Sequence, residues 1–105
     1  MKAELEIKNG PRKGEVHQLG QLGSFTIGRT ADNDLKIPDK AVSRRHCRVD
    51  YEGEYFWLVD CNSHNGTFLN GQKVANSMLY DGDSISVGHT DIAFRLALDQ
   101  PRESA

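Results

Sequence analysis

Three short polar groups in this chain have the residue types of an anion site. Gly28-Arg29 directly follows the apolar triplet Phe25-Thr26-Ile27, which places the arginine at a strand exit. From there its planar guanidinium can offer a phosphate two parallel charge-assisted bonds. Ser43-Arg44-Arg45-His46 leads into the next alternating run. A serine hydroxyl and the amides after it can donate to anionic oxygens, and the arginines raise the local potential. The third group runs from Asp60 to Gly71 and holds two Asn-Gly pairs, Asn65-Gly66 and Asn70-Gly71, downstream of Asp60 and Ser63. Those residues predict a loop whose polar side chains bond its own backbone and fix its shape, so that it can read a ligand's main chain. Taken singly, each group also has a plainer reading: a solvated arginine, a serine-capped turn, a hairpin turn.

The elements that must position these groups are strands. Alternation with period two recurs throughout, whereas apolar residues at helical spacing never persist beyond about two turns. Leu5 and Ile7 alternate with charged neighbours, Asn9-Gly10-Pro11 breaks the pattern, and Glu15 to Leu19 resumes it as a first hairpin. Phe25 to Ile27 and Leu35 to Ile37 are short strands joined by the turn-forming Thr30-Ala31-Asp32-Asn33. His46 to Tyr51 returns around Gly53 through Tyr55 to Val59, and the second member is apolar on both faces, as in a central strand. After the turn signals at Asn65-Gly66, Asn70-Gly71 and Asp81-Gly82, Ser84 to Val87 and Ile92 to Leu98 close the array. Many short strands with loop-rich joins indicate a β-sandwich or barrel.

At 105 residues the chain suits one domain. Thirteen basic residues against fifteen acidic ones give a net charge of −2, which argues against unspecific nucleic-acid binding. Arg29, Lys40, Arg44, Arg45, His46 and Arg48 nevertheless fall close together, the pattern of a local anion site on a mildly acidic body. No apolar run is long enough to span a bilayer, and the start has no secretory signal, so the expected compartment is the cytoplasm. Cys47 and Cys61 are too few for a disulfide framework and are expected to be reduced.

In order, Gly28-Arg29, Ser43-x-x-His46, Ser63-x-Asn65-Gly66-Thr67, Asn70-Gly71, Leu79-x-x-Gly82-Asp83 and Gly88 resemble the pattern of the forkhead-associated (FHA) domain, from about Leu5 to Leu98. The resemblance implies an all-β fold, an eleven-stranded antiparallel β-sandwich of FHA/SMAD-like type with a ligand site on loops at one end. It implies an FHA domain over residues 1–98 and a polar tail over 99–105, frayed or leading into a longer parent chain. The implied function is reversible capture of a threonine-phosphorylated protein or peptide in Ser/Thr kinase signalling, by a monomer without cofactor or metal. Arg29 and Ser43 then look like direct phosphate ligands, with Arg44 assisting. Asn65 resembles the asparagine that bonds the peptide main chain. Gly28, His46, Gly66 and Asn70 look architectural. His64 stands where threonine is common in the family and is assigned to the phosphopeptide site through its imidazole. Ala41 replaces a basic residue that some members use to read an acidic side chain.

Other classes fit less well. A Ser43, His46, Asp60 triad lacks a glycine-framed nucleophile turn. A metal set from His46, Cys47, Cys61 and His64 meets the difficulty that alternation sends His46 and Cys47 to opposite faces. Nucleic-acid binding by Arg44, Arg45 and Arg48 lacks interleaved aromatics. The alternative within the fold is a phosphorylation-independent docking module that uses another face of the sandwich, with Trp57 as its anchor.

Overall fold

The computed structural model describes residues 2–21 and 23–97. Eleven strands form two sheets: β1 (Lys2–Ile7), β2 (Val16–Leu19), β3 (Ser24–Gly28), β4 (Leu35–Lys36), β5 (Cys47–Glu52), β6 (Tyr55–Asp60), β7 (Thr67–Leu69), β8 (Gln72–Val74), β9 (Asn76–Met78), β10 (Ser84–Val87) and β11 (Thr90–Ala97). One sheet has the order β2-β1-β11-β10-β7-β8 and the other β4-β3-β5-β6-β9. The expected tail over 99–105 and Leu98 lie outside the described residues.

Alternation decides which side chains enter the space between the sheets. Leu5, Ile85, Ile92 and Phe94 from one sheet meet Ile27, Val49, Phe56 and Leu58 from the other, all 3% exposed or less. At the centre Phe56 meets Phe94 with ring centroids 5.7 Å apart and planes tilted by 57°, close to the edge-on geometry favoured by aromatic quadrupoles. One expectation needs correction. The sandwich is not wholly antiparallel, because β4 runs parallel to β3, with Ile27 opposite Leu35. As a central strand, β6 sits between β5 and β9; Phe56 and Leu58 face the core, while Tyr55, Trp57 and Val59 line the outer surface of their sheet. Apolar residues on both faces of a strand show that it packs well on one side; they do not require a second covering layer.

The chain order fixes where the loops gather. β3 ends, β5 begins, β6 ends and β7 begins at the same edge of the sandwich, together with the β1–β2 and β10–β11 turns. The three polar groups read from sequence therefore leave the sheets at one end.

Candidate functional site

Arg29 and Ser43 meet through backbone. The Arg29 amide donates to the Ser43 carbonyl at 2.9 Å, and the Arg29 Nε donates to the Val42 carbonyl at 2.9 Å. With Nε occupied, the two terminal nitrogens remain to face a ligand. Ser43 Oγ accepts the His64 amide at 2.9 Å, which uses a lone pair and leaves the hydroxyl proton free to donate. Asn65 donates Nδ2 to the Ala41 carbonyl at 2.8 Å, which leaves its Oδ1 and second amide proton available. Arg44 and His64 are exposed beside these groups, and neither side chain has an ion pair among the described residues. The neighbouring Arg45 is held by Asp32 at 3.3 Å.

His46 is the post behind this surface. It is fully buried. Its Nδ1 accepts the Ser43 amide at 3.0 Å, which makes Nδ1 the unprotonated nitrogen and Nε2 the donor to the Gly66 carbonyl at 2.8 Å. One neutral imidazole thus joins the β4–β5 loop to the β6–β7 loop. Sequence alternation sent His46 and Cys47 to opposite faces, yet both are fully buried, because loops close over His46 at the strand entry. Neither His46 nitrogen meets Ser43 Oγ, so these residues do not form a nucleophile and base. Burial pushes the Cys47 thiol up to about 12, despite a hydrogen bond with Thr67, so it stays protonated and unreactive at neutral pH.

The β6–β7 loop has the self-bonded form expected of it. Asp60 accepts from the Ser63 amide at 3.1 Å, from Ser63 Oγ at 2.5 Å and from Thr67 Oγ1 at 2.7 Å. Burial alone raises this carboxyl, but the Ser63 and Thr67 bonds outweigh it, and the group stands below its ordinary value. Ser63 Oγ also receives the Gly66 amide at 3.0 Å. Gly66 turns at φ 93°, a conformation that side chains rarely adopt.

Asn70 is the residue that the fold does not bring to this cluster. It stands at the far end of β7 with φ 51°, followed by Gly71 at φ 86°. That pair forms a two-residue hairpin turn of the primed type. Asn70 Nδ2 donates to Asp83 at 3.0 Å and its Oδ1 accepts the Ser84 amide at 2.9 Å, which clamps the turn to β10. Its architectural contacts lie at the other end of the sandwich from Ser43.

Sequence reasoning missed Asn33 as a site element and saw it only as turn composition. Its Nδ2 donates to the Arg44 carbonyl at 2.8 Å and to the Thr30 carbonyl at 3.0 Å, tying the β3–β4 turn to the β4–β5 loop. Its buried Oδ1 has no partner, a cost the site accepts to hold Arg44. The only sequence signal was an asparagine four residues after Arg29.

Asp39 supports the loop from the other side. Its carboxylate accepts the Ala41 amide, the His89 amide and His89 Nδ1, each at 2.9 Å. The Ala41 amide first, then the His89 amide and ring, lower the Asp39 carboxyl from 3.8 to about 2. A folded value below the unfolded one means the bonds contribute fully above pH 3.8 and weaken as pH falls toward 2. In an acid titration followed by NMR, the Ala41 and His89 amide signals should shift together with a midpoint well under 3.8; a midpoint at or above that value contradicts the bonding.

Comparison with known proteins agrees with this architecture. The family model described as "FHA domain" matches residues 25–88, and the chain belongs to the FHA domain family. It is 40% identical over 92 residues to the FHA domain-containing protein FhaA of Mycobacterium tuberculosis, covering 88% of this chain and 17% of FhaA. It is 37% identical over 92 residues to the glycogen accumulation regulator GarA of Mycolicibacterium smegmatis, covering 88% of this chain and 58% of GarA. The chain thus spans less than two thirds of the length of these curated relatives. A solved structure from a study of phosphothreonine-dependent FHA domain interactions superposes with a TM-score of 0.85 at 38% identity, covering 93% of this chain and 99% of that one. Among the described residues, no helix is long and apolar enough to cross a membrane.

Proposed function

We propose that this FHA domain captures threonine-phosphorylated proteins reversibly in Ser/Thr kinase signalling, as a cytoplasmic monomer that performs no catalysis and needs no cofactor. The terminal nitrogens of Arg29 and the Ser43 hydroxyl take the phosphate, with Arg44 and His64 at its edge. Asn65 bonds the peptide main chain, while Gly28, His46 and Gly66 fix the loops and Asn70 fixes the β7–β8 turn. The observation that carries the reading is the paired backbone contact, Arg29 amide to Ser43 carbonyl and His64 amide to Ser43 Oγ. It supports a guanidinium fork and a free hydroxyl proton meeting at one half-buried spot beside the His64 backbone. A phosphothreonine brings about −1.5 to −2 charges and three acceptor oxygens, which answer those donors. The phosphothreonine-dependent interactions of the structural relative support the same reading.

A calorimetric titration with one peptide in three forms tests it. The phosphothreonine form should bind with micromolar affinity, about −8 kcal/mol. The phosphoserine form should bind roughly ten to a few hundred times more weakly for want of one methyl group, and the unmodified form should give no heat. Identical curves for modified and unmodified peptide would refute the proposal.

Docking without phosphate has weaker support. The outer face of β5, β6 and β9 carries Trp57 and the 54%-exposed Tyr55. The Trp57 indole already donates to the Glu52 carbonyl, and Arg48 is paired with Asp50, so the polar anchors of that face are largely engaged.

A further inference from the structure

Lys73 is the only lysine or arginine between Arg48 and Arg95, and the fold sets it against the loop that carries Asn65. It stands on β8 opposite Phe68 of β7, and its stem runs back over Gly66. A Cβ added at Gly66 would lie 2.9 Å from Lys73 Cε, 3.3 Å from Cδ and 3.4 Å from Cγ. Gly66, turning at φ 93°, has no side chain of its own to cover this flank, so the lysine methylenes take the place. Lys73 is exposed, and the ammonium one bond beyond Cε reaches solvent from a stem laid on protein. Among the described residues it has no ion pair, whereas Arg12, Arg45, Arg48 and Arg95 each have a carboxylate partner. The carboxylates of the neighbouring segments are already engaged, Asp60 by Ser63 and Thr67, Asp83 by Asn70 and the Tyr80 amide. A cation held on one flank of a binding loop without a counter-ion is open to an anion that a ligand brings.

We propose that Lys73 is a specificity-determining residue, which selects an anionic side chain of the phosphothreonine ligand on the side of Asn65 away from Ala41; the inference rests on the phosphopeptide reading above. Asn65 divides the ligand's path. Its Nδ2 is bonded to the Ala41 carbonyl of the β4–β5 loop, while the next residue, Gly66, carries the Lys73 stem. A main chain lying over Asn65 leaves it toward Ala41 in one direction and toward Gly66 and Lys73 in the other. Neighbouring Cα atoms stand about 3.8 Å apart and an extended ligand advances about 3.3 Å per residue, so roughly the first one to three residues on that side come within reach of the ammonium. An Asp or Glu carboxylate and the phosphate of a second modified residue share the required chemistry, oxygens that accept a charge-assisted bond, and the phosphate brings more charge. Because the stem already rests on Gly66, less rotamer freedom is left to lose when the bond forms.

The test is a set of phosphothreonine peptides with alanine at every other position, into which glutamate, phosphoserine or lysine is placed one position at a time on each side. Measured by fluorescence polarisation, glutamate close to the phosphothreonine on one side should bind about twofold to fivefold more tightly than alanine, phosphoserine more tightly still, and lysine more weakly. Raising the ionic strength from about 0.05 M to about 0.5 M should shrink the glutamate gain. Lys73→Met keeps an unbranched stem over Gly66 and removes the charge, so it should bring the ratio of glutamate to alanine affinity to about one at those positions. Lys73→Arg should retain the preference, and Lys73→Glu should turn it toward lysine. A glutamate preference that persists in Lys73→Met overturns the inference and gives the reading role to Lys40 or Arg44; equal affinity for glutamate, alanine and lysine at every position overturns it as well. Each ratio compares two peptides on one protein, so a variant of lower stability does not disturb it. Failure of the alanine peptide to bind more tightly than its unphosphorylated form would instead refute the phosphopeptide reading itself.

Discussion

Arg29→Ala is expected to abolish measurable binding of a phosphothreonine peptide and to leave the sandwich folded. Hydrogen bonds to charged groups contribute about 1.5–3 kcal/mol each, and the two terminal nitrogens can make two of them to a phosphate. Their joint loss from a micromolar complex moves the dissociation constant into the millimolar range or beyond. The fold loses much less. The Arg29 amide bond to the Ser43 carbonyl belongs to backbone and survives the substitution, so only the Nε bond to the Val42 carbonyl disappears. That bond also comes from the charged guanidinium and is worth at most about 1.5–3 kcal/mol, read as a melting temperature lowered by roughly 4–8 °C for each kcal/mol in a domain of this size. Arg29→Lys keeps the charge and gives up both the fork and the Nε anchor, so it should recover little of the affinity. The result that would count against this role is an alanine variant that binds phosphopeptide within threefold of the parent domain.

What the sequence disclosed followed the reach of each signal. Period-two alternation acts residue by residue, so β1, β5, β6, β10 and β11, each at least four residues long, were readable, as was the first hairpin. β7, β8 and β9 have three residues each, too few for alternation to separate from chance, and the residues alone marked only the turns around them. Pairing direction was not readable for β3 and β4, because the spacing of two short strands says nothing about how the connecting loop folds back. The β6–β7 loop was legible because its bonds are local: Asp60, Ser63 and Thr67 lie within one short segment. The role of Asn33 was not, since its partner is the carbonyl of Arg44, eleven residues away, and backbone acceptors leave no mark in a sequence. His46 falls between these cases. Its place at a strand entry was visible, but its span from Ser43 to Gly66 depends on two loops meeting.

Gly28→Ala should damage both stability and binding, for a reason independent of glycine's conformational freedom. Gly28 ends β3, and a Cβ there would stand 2.1 Å from the Arg44 carbonyl oxygen and 2.6 Å from Asn33 Nδ2. Both distances are far inside van der Waals contact, and neither neighbour can step aside cheaply. The Arg44 carbonyl is held by Asn33, Ser43 before it is bonded to the Arg29 amide, and the His46 amide after it donates to Ile27. The strain must therefore push β3 away from the β4–β5 loop, the displacement that separates Arg29 from Ser43. Overpacking of this kind costs about 1–3 kcal/mol, or roughly 4–8 °C of melting temperature for each kcal/mol. Phosphopeptide affinity should fall by more than the unfolded fraction explains, because the folded variant holds its two phosphate donors apart. Gly20→Ala is the matched control, since nothing lies within 4 Å of a Cβ at that position, and it should melt and bind like the parent. At Gly66 the contact is with the methylenes of Lys73, the nearest at 2.9 Å, and a flexible side chain can yield there although the φ of 93° still opposes substitution. A Gly28→Ala protein that melts within a degree of the parent and binds normally would show that the loop can relax, and would remove this glycine from the residues that set the site.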